Sequence, residues 1–324
     1  MTDIPKFIPN LKKLSQNPQR LTGGHRLCPG CGISVILKQV MTVIDDPIVV
    51  VNATGCSEIC TSAYPQTAWD TPWIHSLFEN TGAVASGVDA ALKVLKRKGK
   101  ANESQKKAKI LAIGGDGGTY DIGFQALSGA VERGHDFVYL CFDNEGYMNT
   151  GYQRSSATPL GTATNTSPDG SEIHGKQTNR KDMTAILAAH NIPYVAQASP
   201  HNWADMMRKA HTAFHTPGPA FINTLSPCPT NWKALPEDGM RLMQAAVDTC
   251  FWPLFEVTNG VWKVNYKPKE KLPVDAWLTG QKRFKHLLDP KNSALKAQLQ
   301  AHIDAEWAKL LALEKMSNEL AAAA

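Results

Sequence analysis

Apolar runs in this 324-residue chain alternate between strand and helix character, which predicts an α/β fold. The expected architecture is a mostly parallel sheet flanked by helices, with an N-terminal arm before it and a helical C-terminal tail after it. Three observations carry this. The run Lys109–Ile113 is short and apolar, a helical pattern follows from about Ile122 to Arg133, and a second apolar run covers Phe137–Phe142. The same rhythm resumes after residue 181. Finally, 43% hydrophobic content over this length is enough to bury a full core.

Taken in order, residues 1 to 24 read as an irregular arm rich in Pro, Lys, Asn and Gln. Helical spacing runs from Gly32 to about Thr42, and Ile48-Val49-Val50-Val51 is a β-branched strand. A helix is expected from about Ala83 to Lys96. Tyr147–Lys181 is a long loop of Gly, Ser, Thr, Asn and Pro, a length that usually marks function. Then come a helix at Met183–His190, a strand at Tyr194–Ala198, a helix at Asn202–His215 and a strand at Ala220–Asn223. Past Pro229 the composition changes: Trp252–Trp277 is rich in Pro and aromatic residues, and Ser293–Leu320 is an Ala/Leu/Lys/Glu helix. Three stretches are expected: an arm with the first strand (1–60), a core (61–230) and a C-terminal extension (231–324).

The net charge of +5 is too small and too dispersed to indicate nucleic acid. No run approaches a membrane span. The start, Met1-Thr2-Asp3-Ile4-Pro5-Lys6, lacks the plan of a secretory signal, so a cytoplasmic location is expected. The dense basic stretch Lys93–Lys100, with Lys106 and Lys107, reads as a solvated helix end, with a docking patch for an acidic electron carrier as the alternative.

The chemistry is concentrated in Gly114-Gly115-Asp116-Gly117-Gly118. Four glycines let the backbone turn sharply and approach an anion, and the following helix aims its N–H groups at the same place. Asp116 and the side-chain carbonyl of Asn144, 28 residues on, are hard oxygen donors at the ends of neighbouring strands. The pattern suits a diphosphate with Mg²⁺, although a Gly-Asp-Gly alone also occurs as a simple turn.

Seven cysteines without a signal peptide are not a disulfide framework. Cys28-Pro29-Gly30-Cys31 can grip one metal centre, and Cys56 and Cys228, in loops just past strands, are candidates to complete a four-thiolate site. Cys60, one turn from Cys56, is the rival ligand. Cys141 and Cys250 read as buried small hydrophobes. On the residues alone, an iron–sulfur cluster, Zn²⁺ and a redox pair all remain open.

The Gly-Asp-Gly followed by Asn resembles the thiamine-diphosphate signature, in which Asp, Asn and the backbone carbonyl of the second residue past the Asn, here Gly146, bind Mg²⁺. Over about residues 22–260 the chain is similar to the β subunits of pyruvate:ferredoxin oxidoreductases and other 2-oxoacid:acceptor oxidoreductases. The resemblance rests on Gly24–Gly32, Asn52–Cys56, Tyr64–Trp69, Phe78-Glu79-Asn80, Gly114–Gly118, Asp143–Ser156 and Leu225–Pro229. It implies a thiamine-diphosphate-binding fold, with a 4Fe-4S cluster on Cys28, Cys31, Cys56 and Cys228. It further implies diphosphate and Mg²⁺ at Gly115, Asp116, Gly117, Gly118, Asn144 and Gly146. Asn149 would lie at the diphosphate and substrate, Thr150 at the diphosphate, and Arg154 and His75 are further candidates for the reaction.

The implied reaction is CoA-dependent oxidative decarboxylation of a 2-oxoacid, with electrons passed to ferredoxin or another acceptor. Partner subunits of the α, γ and δ type are implied, one of them carrying the Glu that activates the cofactor. Glu58 and Glu79 are candidates by position only and read as structural. Pyruvate is the favoured substrate, with an aromatic or branched 2-oxoacid as the alternative. A non-redox thiamine decarboxylase or a zinc-stabilised binding module would each leave one motif idle. The tail beyond about residue 265 and Cys60 depart from the family pattern.

Overall fold

The computed structural model describes residues 4–323; Met1, Thr2 and Asp3 of the arm and Ala324 of the terminal alanine run lie outside them. The strands are β1 (Ile48–Ala53), β2 (Trp73–Ser76), β3 (Lys109–Gly115), β4 (Val138–Asp143), β5 (Tyr194–Ala198), β6 (Ala220–Leu225), β7 (Phe255–Thr258) and β8 (Val261–Val264). They form one sheet in the order β2-β1-β3-β4-β6-β5-β7-β8, so strands from all three expected stretches share it. β1 to β6 pair in parallel, and β7 and β8 extend the sheet antiparallel beyond β5.

The helices that flank it are α1 (Gly32–Met41), α2 (Thr81–Arg97), α3 (Phe124–Glu132), α4 (Met183–Ala188), α5 (Trp203–His215), α6 (Gly239–Asp248) and α7 (Ser293–Ala323). Alternate strand residues separate two cores. Ile48, Val50, Leu111, Ile113, Leu140 and Ile222 pack with Ile36 and Leu37 of α1 and Met206 and Phe214 of α5. Val51, Ile110, Ala112, Tyr139, Cys141 and Phe221 pack with Ala85 of α2 and Leu127 and Val131 of α3. Both faces are covered, which explains why these strands read as continuous apolar runs.

A third core lies past the carboxyl ends of the strands. Trp232, Trp252, Trp277 and Phe284 gather there with Leu242 of α6, Leu299 and Ile303 of α7, and Met148 and Tyr152 from the long loop. The expected 147–181 loop is present and carries no named helix or strand. The C-terminal segment therefore acts as a floor for the loops above it.

Several elements differ from expectation. The helix expected from Ile122 is preceded by a wide π-turn over Gly117–Ile122, in which Gly123 N–H donates to Gly118 O at 2.8 Å, five residues back. A Cβ at Gly123 would lie 2.3 Å from that same oxygen, so the wide turn needs glycine there. β2 escaped notice because it is four residues long with Ile74 and His75 exposed. α6 is amphipathic, burying Leu242, Met243, Ala246 and Val247 in the third core. The Pro- and aromatic-rich segment contains the β7–β8 hairpin, whose Asn259-Gly260 turn has φ of 49° and 82°. Two positive φ angles are what a tight two-residue hairpin demands, and Asn-Gly supplies them.

β8 is an edge strand that α7 closes with side chains. Trp262 N–H donates to Ser317 Oγ at 3.0 Å and Val264 N–H to Glu314 Oε1 at 2.7 Å, while Asn318 Nδ2 donates to Trp262 O at 3.2 Å. The basic stretch from Lys93 lies at the end of α2 and just before β3, at the amino ends of the strands. No helix among the described residues is long and apolar enough to cross a membrane.

Replacing Gly260 by Ala meets open space but a φ of 82°. It should therefore cost about 1 kcal/mol through backbone strain alone. Urea denaturation of the variant checks this, with Gly99→Ala, also at positive φ but outside the sheet, as the comparison.

Candidate active site

β1, β3, β4 and β6 are neighbours, and each delivers the loop at its carboxyl end to the same edge of the sheet. Thr54, Gly55, Cys56, Phe78, Gly115–Gly118, Asn144 and Gly146–Thr150 line one cleft there. In open parallel sheets this edge is the usual place for a ligand.

The glycine turn is shaped by two constraints. A Cβ on Gly117 would lie 2.3 Å from the Tyr147 ring, whose hydroxyl donates to Gly117 O at 3.0 Å. A Cβ on Gly115 would meet nothing within 4 Å, so that position borders open space in the cleft. Close packing on one side and room on the other is the form of a backbone cradle for an anion.

Asp116 is fully buried and makes no salt bridge among the described residues. Ser155 Oγ donates to its Oδ2 at 2.5 Å and Asn144 N–H to its Oδ1 at 3.4 Å. Burial, and then the nearby Asp143 charge, push its carboxyl well above the usual range. The Asn144 amide oxygen faces two further acceptors, Asp116 Oδ1 at 2.8 Å and the Gly146 carbonyl oxygen at 2.9 Å; only with the amide turned over would these be hydrogen bonds. Three oxygens at such separations match adjacent ligands on an octahedron with metal–oxygen bonds of about 2.0–2.1 Å. The donor set fits Mg²⁺.

Beneath these ligands is a buried charge network. Arg180 is paired with Asp143, and Tyr120 Oη donates to Asp143 Oδ2 at 2.6 Å. Arg283 Nη2 lies 2.5 Å from Glu145 Oε2, and Arg180 Nη1 lies 3.6 Å from Glu145 Oε1. Glu145 has φ of 70°, a left-handed conformation that a non-glycine residue adopts when its surroundings hold it there. Trp232 Nε1 donates to Asn144 O at 2.9 Å and fixes the same turn from below.

The cysteines sit at the mouth of this edge. Cys56 opens a short helix after β1, and Cys228 precedes another after β6. The Cys28–Cys31 turn is seated against the β6 loop: Gly32 N–H donates to Pro227 O at 3.1 Å, and a Cβ on Gly30 would lie 2.5 Å from Pro236 O. Burial pushes the Cys31 and Cys56 thiols up to about 12, with the Cys228 and Cys60 charges adding to it and Cys28 adding to Cys31. Cys31 is therefore within electrostatic reach of Cys28, Cys56, Cys60 and Cys228. Among the described residues no three Cys, His, Asp or Glu side chains are close enough to hold a single metal ion. Cys141 and Cys250 are buried.

Asn149 and Thr150 line the cleft, and Asn149 faces Cys56. Arg154 is exposed, with its N–H on Thr166 Oγ1 at 2.8 Å, and is not among the cleft residues. His75 is also outside the lining; its Nε2 is 2.9 Å from Thr54 Oγ1 and 3.8 Å from Glu58 Oε2. Glu58 is buried and Glu79 exposed. Sequence reasoning missed Ser155, Tyr147, Tyr120, Arg180 and Arg283, all distant in the chain from the residues they hold. Asp143 and Glu145 did carry a signal, as acids flanking Asn144 at the end of an apolar strand.

The sequence model of the family described as thiamine pyrophosphate enzyme, C-terminal TPP binding domain, matches residues 53–224. Fold and cradle thus define a thiamine-diphosphate-binding α/β enzyme chain. The pyruvate synthase subunit PorB of Methanocaldococcus jannaschii is 50% identical over 290 residues, 90% of this chain and 95% of that one. PorB of Thermotoga maritima is 44% identical over 96% of this chain and 98% of its own length. The ketoisovalerate oxidoreductase subunit VorB of Pyrococcus horikoshii is 41% identical, covering 90% of this chain and 93% of that one. Among solved structures, a 2-oxoglutarate:ferredoxin oxidoreductase from Magnetococcus marinus shares the fold, with a TM-score of 0.53 and 21% identity over 69% of this chain and 79% of that one. The chain belongs to the β-subunit family of the 2-oxoacid:ferredoxin oxidoreductases, as one subunit of a hetero-oligomeric enzyme.

The two glycines should separate on substitution. Gly115→Ala is expected to keep the stability of the cofactor-free protein but weaken thiamine diphosphate binding about tenfold, because its methyl enters the cradle. Gly117→Ala should lower both, since Tyr147 must move. Thermal melts and calorimetric titration with the cofactor measure the two effects.

Proposed function

We propose that this chain binds thiamine diphosphate, Mg²⁺ and a 4Fe-4S cluster in a CoA-acylating oxidoreductase that decarboxylates pyruvate and passes electrons to ferredoxin or another acceptor. One observation carries the redox reading: Cys56 belongs to both sets, lining the cleft at the glycine cradle and standing among the clustered thiols. An electron acceptor held by Cys56 would border the reaction site.

Asp116, the Asn144 amide oxygen and the Gly146 carbonyl would hold Mg²⁺, with the Gly115–Gly118 backbone facing the diphosphate. Cys28, Cys31, Cys56 and Cys228 would hold the cluster. When bound, thiamine diphosphate supplies an electron sink for decarboxylation and the cluster supplies one-electron acceptance. Asn149, exposed in the cleft beside Cys56, is placed to orient substrate. Cys60 remains the alternative ligand to Cys56, its carbonyl tied to Arg26 N–H at 2.7 Å. The higher identity to pyruvate synthase subunits than to the ketoisovalerate subunit supports pyruvate over a branched 2-oxoacid.

The chain carries no carboxylate among the cleft residues other than Asp116. The acid–base group is accordingly assigned to a partner subunit. General acid–base help is typically worth about 10²–10⁴-fold. Single-turnover ¹⁴CO₂ release from labelled pyruvate should therefore be at least a hundred times slower for the lone reconstituted chain than for the co-expressed complex. Comparable rates would return the role to Glu58 or Glu79.

Ligand variants divide the two cofactors. Cys228→Ala should lose iron and sulfide while retaining thiamine diphosphate. Asp116→Ala should lose thiamine diphosphate retention in excess Mg²⁺ while the iron content stays. Full iron in Cys228→Ala, or zinc in the wild-type complex, overturns the cluster assignment.

A further inference from the structure

We propose that Arg283, supplied by the segment beyond residue 265, is a positioning residue that cross-braces the two cofactor loops and sets a fixed buried positive charge beside Cys228. The inference rests on the function proposed above. The Arg283 side chain is fully buried, with its guanidinium 4.0 Å over the Trp232 ring and 4.6 Å over that of Phe284. Gln281 Oε1 accepts from its Nε at 3.0 Å and its Nη2 at 2.7 Å, which fixes the plane of the fork. Nη2 then reaches Glu145 Oε2 at 2.5 Å, between Asn144 and Gly146.

Trp232 connects this cation to both loops. Its indole N–H donates to Asn144 O at 2.9 Å, and its backbone N–H donates to Cys228 O at 2.9 Å. One guanidinium therefore holds the left-handed Glu145 from the side and lies on the ring that ties the Asn144 turn to the Cys228 turn. The charge stands 4.0 Å over the ring of the residue whose backbone N–H holds the Cys228 carbonyl, which sets it beside the Cys228 turn. A cation held in a low-dielectric interior favours the more negative, reduced state of a nearby cluster.

The test uses the complete complex with R283K, R283Q and E145Q, after iron, sulfide and thiamine analysis of each. In an EPR-monitored redox titration, R283Q should shift the reduction equilibrium about tenfold toward the oxidised cluster, about 59 mV for a one-electron centre. Its Mg²⁺ requirement for thiamine diphosphate retention should rise about tenfold as well. R283K should hold the potential near that of the wild type yet show the raised Mg²⁺ requirement, because it keeps the charge and loses the planar fork. E145Q keeps Arg283 and removes the opposing charge, so it must raise the potential; this variant carries the test if R283Q does not assemble. Equal potentials in wild type and E145Q, or in wild type and R283Q, with clusters complete, overturn the inference. An iron-free wild-type complex would instead overturn the parent reading, a distinguishable result.

Discussion

The constraint on which the site depends is the burial of Asp116 with no cation paired to it among the described residues. A carboxylate withdrawn from water must be neutralised, either by a proton or by a positive charge brought to it. Asp143 and Glu145, the buried acids that flank Asn144, have guanidinium partners in Arg180 and Arg283. Asp116 has hydroxyl and amide donors instead, and an amide oxygen turned toward it. Asp116 is thus left, among the described residues, without a positive partner, and the proposed Mg²⁺ would supply one.

Holding such a centre open requires support from below, and the third core provides it. Trp232, Trp252, Trp277 and Phe284 form an apolar floor under loops that have no ladder of their own. Arg180 is held over the Trp252 ring at 4.6 Å and Arg283 over that of Trp232, so the cations that neutralise the acids are themselves seated on aromatic faces. Stability and electrostatics are supplied by the same residues. The C-terminal extension is consequently part of the site's foundation, although none of its described residues lines the cleft.

The parts of the fold legible in the sequence were those governed by local period. β1, β3, β4, β5 and β6 are apolar runs buried on both faces, and the glycine cradle has chemistry that few other patterns share. What stayed hidden was set by tertiary partners. β2 is a strand because it pairs with β1, and Trp73–Ser76 has little strand character alone. Arg180 and Arg283 are polar residues in loop-like sequence whose acids lie 37 and 138 residues away, a relation no window can see. The β7–β8 hairpin is a different case: its Asn-Gly turn and alternating strands were visible, and the surrounding prolines and aromatics masked them. The basic stretch near Lys93 gained meaning only with the topology, which places it at the end of the strands opposite the cysteines.

The side-chain closure of β8 has a consequence for how the sheet meets other polypeptides. An open sheet with two bare edges can grow by adding strands at either side, and repeated additions lead to unlimited stacks. Here Ser317, Glu314 and Asn318 occupy the donors and acceptor at one edge, leaving β2 as the other rim. Growth of the sheet from the β8 side is thereby blocked, and with one rim open it cannot extend in both directions. A chain built to sit among other subunits is in this way denied the geometry of a filament.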